Sequence, residues 1–74
     1  SLTDELCQVM QKVLKEREMT IVRYCFGIGC PEKGLEEIGD LFNLTRERVR
    51  QIRERCILKL KGSDQAHILA KYLG

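Results

Sequence analysis

Seventy-four residues, 43% apolar and 32% charged, make one small domain with a modest core, which Leu, Ile and Val must fill because aromatics stand at 5% and tryptophan is absent. No apolar run reaches the roughly 20 residues that a bilayer span needs and no signal-peptide pattern opens the chain, which predicts a cytoplasmic protein. The net charge of +2 hides an uneven distribution, with seven Lys/Arg against two Asp/Glu in residues 46–61 and five against eight in residues 1–45. One cationic stretch on a nearly neutral chain is an electrostatic footprint for phosphate.

In chain order, Leu6, Val9, Met10, Val13 and Leu14 recur at helical spacing and predict an amphipathic helix over residues 2–14. Thr3 is its expected cap, and Asp4 and Glu5 give the negative first turn that the helix dipole favours. A second helix runs from about Glu16 through Ile21, Val22 and Cys25 to Phe26, where Gly27 stops it. Residues 27–34 form a loop by their glycine and proline content. Gly27 and Gly29 do not make a phosphate-cradling loop, since no strand precedes them and no Gly-Lys-Ser/Thr follows.

A short third helix begins near Leu35, with Ile38, Leu41 and Phe42 as its apolar stripe. Gly39 lies inside it at a cost of about 1 kcal/mol against alanine, which predicts that a second helix crosses too close for a Cβ. Asn43 ends the helix in a conformation that Asn tolerates. Leu44 is expected in the core and Thr45 as the N-cap of a fourth helix, whose Val49, Ile52, Cys56 and Leu60 share one face. This spacing is that of a helix-turn-helix. Gly62 closes the fourth helix, and Ser63 or Asp64 opens a last one with Ala66, Leu69, Ala70 and Leu73 inward. The fold expected is all-α, a small multi-helix domain of about five helices containing the helix-turn-helix. Residues 1–34 form an N-terminal helix pair and loop, 35–61 the helix-turn-helix, and 62–74 a C-terminal helix.

Opposite the Val49/Ile52/Cys56 stripe, Glu47, Arg50, Gln51 and Glu54 project outward, flanked by Arg46 and Arg55. The N-terminal residues of a recognition helix meet base edges in the major groove. Arg suits guanine, Gln suits adenine, and Glu accepts from the cytosine amino group.

Cys7, Cys25, Cys30 and Cys56 include no C-x-x-C pair, so no metal site is expected, and Cys7, Cys25 and Cys56 fall on apolar helix faces as small hydrophobes. His67 has no partner in sequence and belongs on the surface. With no acid–base pair or nucleophile constellation the chain is not expected to be an enzyme, and no cofactor is expected.

The run Thr45-Arg-Glu-Arg-Val-Arg-Gln-Ile, together with Leu35-Glu-Glu-Ile-Gly and Arg17-Glu18…Phe26-Gly27, closely resembles region 4 of primary sigma factors of bacterial RNA polymerase. The likeness covers nearly the whole chain, and the closing Gln65-Ala-His-Ile-Leu-Ala-Lys-Tyr-Leu resembles the end of a sigma chain. The resemblance implies a fragment of a longer protein, a monomeric domain that reads the promoter −35 element in duplex DNA and docks on the flap of the polymerase β subunit. It places Arg46, Glu47, Arg50 and Gln51 on bases or adjacent phosphates. Arg17, Leu35, Glu37, Thr45 and Arg48 fall at positions associated with the DNA backbone. Arg53, Arg55, Lys59 and Lys61 fall on the surface that meets activators, and anti-sigma factors are further candidate partners. The chain departs from the family pattern at Cys25, usually Arg, at Gly34, usually a capping Thr or Ser, and at Arg53, often Glu. Two readings outside the resemblance are an independent helix-turn-helix regulator, which would work as a dimer on a two-fold site, and a purely protein-binding helical module, which would not require Arg50 and Gln51 on the exposed face.

Overall fold

In the computed structural model five helices follow one another: α1 (Leu2–Val13), α2 (Glu16–Phe26), α3 (Leu35–Phe42), α4 (Arg46–Lys61) and α5 (Ala66–Leu73). The structure describes residues 1–73, of Leu73 the backbone only, and the expected inward placement of the Leu73 side chain lies outside the described residues. Among the described residues there is no strand. All five helices share one core, with Leu6, Val9 and Met10 from α1, Ile21 and Val22 from α2, Ile38 from α3, Leu69 from α5, and Val49, Ile52, Cys56 and Leu60 from α4. The longest helix, α4, packs against each of the other four. Its Val49/Ile52/Cys56/Leu60 face is thereby buried, and the face opposite is left to solvent.

The helix ends explain how the chain turns. Gly27, at φ 66°, and Asn43, at φ 57°, both take the left-handed conformation that ends a helix. In each case the next residue donates its N–H back across the turn, Ile28 to the Arg23 carbonyl at 3.0 Å and Leu44 to the Gly39 carbonyl at 2.8 Å. The residue after such a cap usually makes an apolar contact with the helix it has left. Ile28 does so completely, being fully buried, and is the one core residue that the loop composition of residues 27–34 concealed. Leu44 makes the same contact only in part: it is half-buried at the edge of the core rather than inside it.

Three further expectations are corrected. The cap of α1 is Ser1, whose hydroxyl accepts from the Asp4 N–H at 3.3 Å, because the helix starts before Thr3. Leu41 is 58% exposed, and α3 instead turns Leu35, Ile38, Gly39 and Phe42 toward the core. Helix α5 starts at Ala66, two residues after Asp64, and Ala70 is exposed while the larger Ile68 and Tyr72 pack on the core beside Leu69. The Tyr72 hydroxyl also donates to the Gly27 carbonyl at 3.4 Å, tying α5 to the end of α2.

The four cysteines are free, Cys56 buried and Cys7, Cys25 and Cys30 half-buried. Burial pushes the Cys56 thiol to about 11 and raises that of Cys25, so both stay protonated and act as packing groups. Among the described residues no group of three or more His, Cys, Asp or Glu side chains is placed to hold a metal ion, and no helix is long and apolar enough to cross a membrane. His67 is exposed, as expected.

One polar contact holds α2 to α4. Glu18 accepts from the Lys15 N–H at 3.0 Å, closing the first turn of α2, and its carboxylate also receives the Lys59 ammonium at 3.0 Å. The Lys15 hydrogen bond is the main cause that lowers the Glu18 pKa below its ordinary 4.5; burial opposes it and Lys59 adds to it. A carboxyl whose folded pKa is depressed contributes stability that is present above the unfolded pKa and is lost as pH falls through the folded one. Glu18→Gln is therefore expected to cost about 1 kcal/mol at pH 7, with the gap to the parent closing as pH falls below 4.5. Urea unfolding at pH 7 and pH 3 measures this. A gap of the same size at both would mean that the charge of Glu18 contributes nothing.

Candidate nucleic-acid interface

The interface is built by the turn between α3 and α4. Gly39 lies under this turn: a Cβ there would stand 2.5 Å from the Leu44 carbonyl oxygen, closer than real Cβ contacts come. The crowding comes from the backbone of the turn and of the Thr45 cap rather than from the body of the second helix. Gly39 also accepts the Leu44 N–H, so the chain is drawn over the one residue that has no side chain to obstruct it. Thr45 then starts α4, its hydroxyl accepting from the Arg48 N–H at 3.1 Å. With Val49 and Ile52 locked in the core, the rotation of α4 is fixed.

That rotation brings Glu47, Arg50, Gln51 and Glu54 to the outer face, with Arg46 and Arg48 exposed at the N-terminal end. These side chains organise one another. The Arg50 Nε donates to both carboxylate oxygens of Glu47, at 3.1 and 3.0 Å, its Nη2 donates to Glu47 Oε1, and its Nη1 pairs with Glu54 Oε2 at 2.9 Å. The hydrogen bond to Glu47 is the main cause that raises the Arg50 pKa and lowers that of Glu47. Beside them Arg48 donates to the Gln51 side-chain oxygen at 3.4 Å. The face thus carries donors and acceptors within one short stretch of helix, which groove recognition requires.

The remaining expected residues are dispersed. Arg17 is exposed in the first turn of α2. Leu35 is half-buried against the core, so the position offers its backbone N–H rather than its side chain. Gly34 caps α3 without a side-chain hydrogen bond, as its replacement of a capping residue implied, which leaves the first amides of α3 without that acceptor. Glu37 pairs with Lys33 at 3.4 Å, and Lys33 also lies over the Tyr24 ring, 5.4 Å from its centroid; no sequence motif marks Lys33 for either role. Toward the C-terminal end of α4, Lys59 is held by Glu18, whereas Arg53, Arg55 and Lys61 make no ion pair among the described residues. Arg53 and Lys61 border a shallow groove with Ile57 and Leu58, and Leu58 is 69% exposed.

Comparison with known proteins agrees with this architecture. Residues 12–62 match the family described as Sigma-70, region 4. The chain is 47% identical over 62 residues to the RNA polymerase sigma factor RpoD of Helicobacter pylori, a match covering 81% of this chain and 9% of that protein. It is 43% identical over 61 residues to the RNA polymerase sigma factor SigA1 of Synechococcus elongatus, covering 81% of this chain and 15% of the relative. Against SigA of a Nostoc species it is 37% identical over 73 residues, covering 97% of this chain and 18% of the relative. The chain therefore spans less than a fifth of the length of these relatives, and it belongs to the sigma-70 region 4 family.

Proposed function

We propose that this chain is the part of a sigma factor that recognises the promoter −35 element, reading duplex DNA with α4 and making no chemical transformation of its own. The single observation that carries the reading is the outer face of α4, where Arg46, Glu47, Arg50 and Gln51 stand free of the core at the N-terminal end of the second helix of a helix-turn-helix. Arg48 and the Thr45 end of α4 sit beside them, where backbone phosphates flank the groove. Phosphates also suit Arg17 and the uncapped amides of α3 at Leu35 and Glu37. At Glu37 only the backbone serves, since its carboxylate repels a phosphate.

The finer assignments rest on the family likeness. Residues 1–74 act as one region 4 domain of a longer cytoplasmic protein, docking as a monomer on the β flap of RNA polymerase. Arg53, Arg55 and Lys61 face activators or anti-sigma factors, with Lys59 less available while Glu18 holds it.

Selection from a randomised duplex library at low salt tests the reading. Enrichment of one short, non-palindromic motif is expected, as for a single helix-turn-helix without a two-fold partner. A palindromic motif would assign the chain to a dimeric regulator, and retention independent of sequence would leave phosphate attraction without base reading.

A further inference from the structure

We infer that Glu54 is a positioning residue for DNA reading, holding Arg50 jointly with Glu47 so that the guanidinium meets a base edge rather than a phosphate. This rests on the proposal that α4 reads DNA. A guanidinium has five N–H donors in a fixed plane. Glu47, one turn before Arg50, occupies the Nε and one Nη2 donor, and the Glu54 carboxylate, one turn after it, stands as an ion pair 2.9 Å from Nη1. At least one donor is left on each Nη nitrogen. Two parallel donors are what the O6 and N7 acceptors of guanine require. The two carboxylates therefore fix the plane of Arg50 without using up its capacity to read.

They also alter its electrostatics. A lone arginine on an exposed helix face is drawn to the nearest phosphate, the strongest and least sequence-dependent attraction that DNA offers. Between two carboxylates its own charge is countered within an otherwise cationic helix, so its phosphate attraction is offset while directional bonding to a base edge is retained. Glu54 lies about 6 Å further along the helix axis than Arg50, away from the N-terminal end that enters the groove. Its effect on reading thus passes through Arg50. Glu47, by contrast, lies within that end and has a base-contacting role of its own. The alternative is that these contacts only stabilise α4, as pairs three and four residues apart do in isolated helices. That role would change the melting temperature and leave base discrimination untouched.

Glu54→Gln, in this chain, separates the two. In the free protein, NMR relaxation of the Arg50 Nε–H should show an ordered group in the parent and a more mobile one in Glu54→Gln. On DNA, discrimination at the base pair read by Arg50 should fall roughly threefold, affinity for unrelated duplex should rise, and the salt dependence should steepen by about one unit of slope. In an Arg50→Ala background the same substitution should leave discrimination unchanged. Equal loss of discrimination in both backgrounds, or an Arg50 side chain as mobile in the parent as in the variant, would overturn the inference. Should the parent chain enrich no motif while Arg50 is ordered, the DNA-reading proposal itself fails and the positioning role falls with it.

Discussion

Gly39→Ala is expected to destabilise the domain by about 2–4 kcal/mol and to abolish DNA binding by the same chain. Two effects oppose each other at this position. Alanine in the interior of a helix is favoured over glycine by about 1 kcal/mol, so propensity alone makes the variant more stable. Against that, the new methyl would stand 2.5 Å from the Leu44 carbonyl oxygen, an atom of backbone that cannot rotate away as a side-chain tip would. Leu44 is also bonded through its N–H to the Gly39 carbonyl, so the turn can retreat only by losing that bond and tilting α3 from α4. For a domain of this size a loss of that order is a large part of its whole stability, about 5 kcal/mol. Gly34→Ala is the control: a Cβ there meets nothing within 4 Å, and its φ of −74° is ordinary. That change should cost at most about 1 kcal/mol, the N-cap preference for glycine over alanine. Thermal and urea unfolding of the two variants gives the comparison. A Gly39→Ala protein as stable as its parent would mean that the turn does not rest on Gly39.

The sites where sequence was sufficient are those where chemistry is local. Asn43 and Thr45 each have a conformational or hydrogen-bonding preference that acts within a few residues, and each takes the role which that preference implies, whereas Gly39, expected beneath a crossing helix, lies beneath the backbone of the turn. Val49, Ile52, Cys56 and Leu60 span enough of α4 for their period to fix one face. Helix α3, at eight residues, is too short for such averaging. Counting Ile38, Leu41 and Phe42 as its stripe ignores that Gly39, although it adds no apolar area, must face the close contact. At 100° per residue, the arc holding Leu35, Ile38, Gly39 and Phe42 leaves Leu41 roughly 110° from its centre, hence its exposure. In α5 Ala70 misled for the converse reason: it has little area to bury, and Ile68 and Tyr72 gain more by facing inward. The carboxylate–arginine arrangement was half legible. The positions of Glu47, Arg50 and Glu54 on one face follow from spacing, whereas the sharing of one guanidinium by two carboxylates depends on side-chain conformation. Lys59 pairing with Glu18 of another helix depends on the tertiary packing of α2 on α4, and no local pattern announces it.

Gln51→Glu is expected to change the base preferred at one position of the bound motif, and Gln51→Ala to weaken that preference, by about 1–3 kcal/mol or roughly 5- to 150-fold at that base pair alone. A glutamine amide carries a donor and an acceptor, which match N7 and the N6 amino group of adenine. The Gln51 oxygen also accepts from Arg48 at 3.4 Å, which orients the amide and leaves its NH₂ group directed elsewhere. A carboxylate in its place has acceptors only, which suits the N4 amino group of cytosine, and Arg48 would hold it at least as firmly. Preference should therefore move from adenine toward cytosine with the other positions unchanged. Lys61→Ala tests the geometry from the other end. Lys61 closes α4, about 15 Å along the axis beyond Gln51, so its loss should reduce affinity at most uniformly and leave the enriched motif as it was. Selection from the same randomised duplexes decides both. If Gln51→Ala lowered affinity equally for every sequence, the residue would be a backbone contact. If Lys61→Ala altered the motif, α4 would have to lie along the groove rather than enter it by its N-terminal end, and the roles of Arg46, Glu47, Arg50 and Gln51 would need reassignment together.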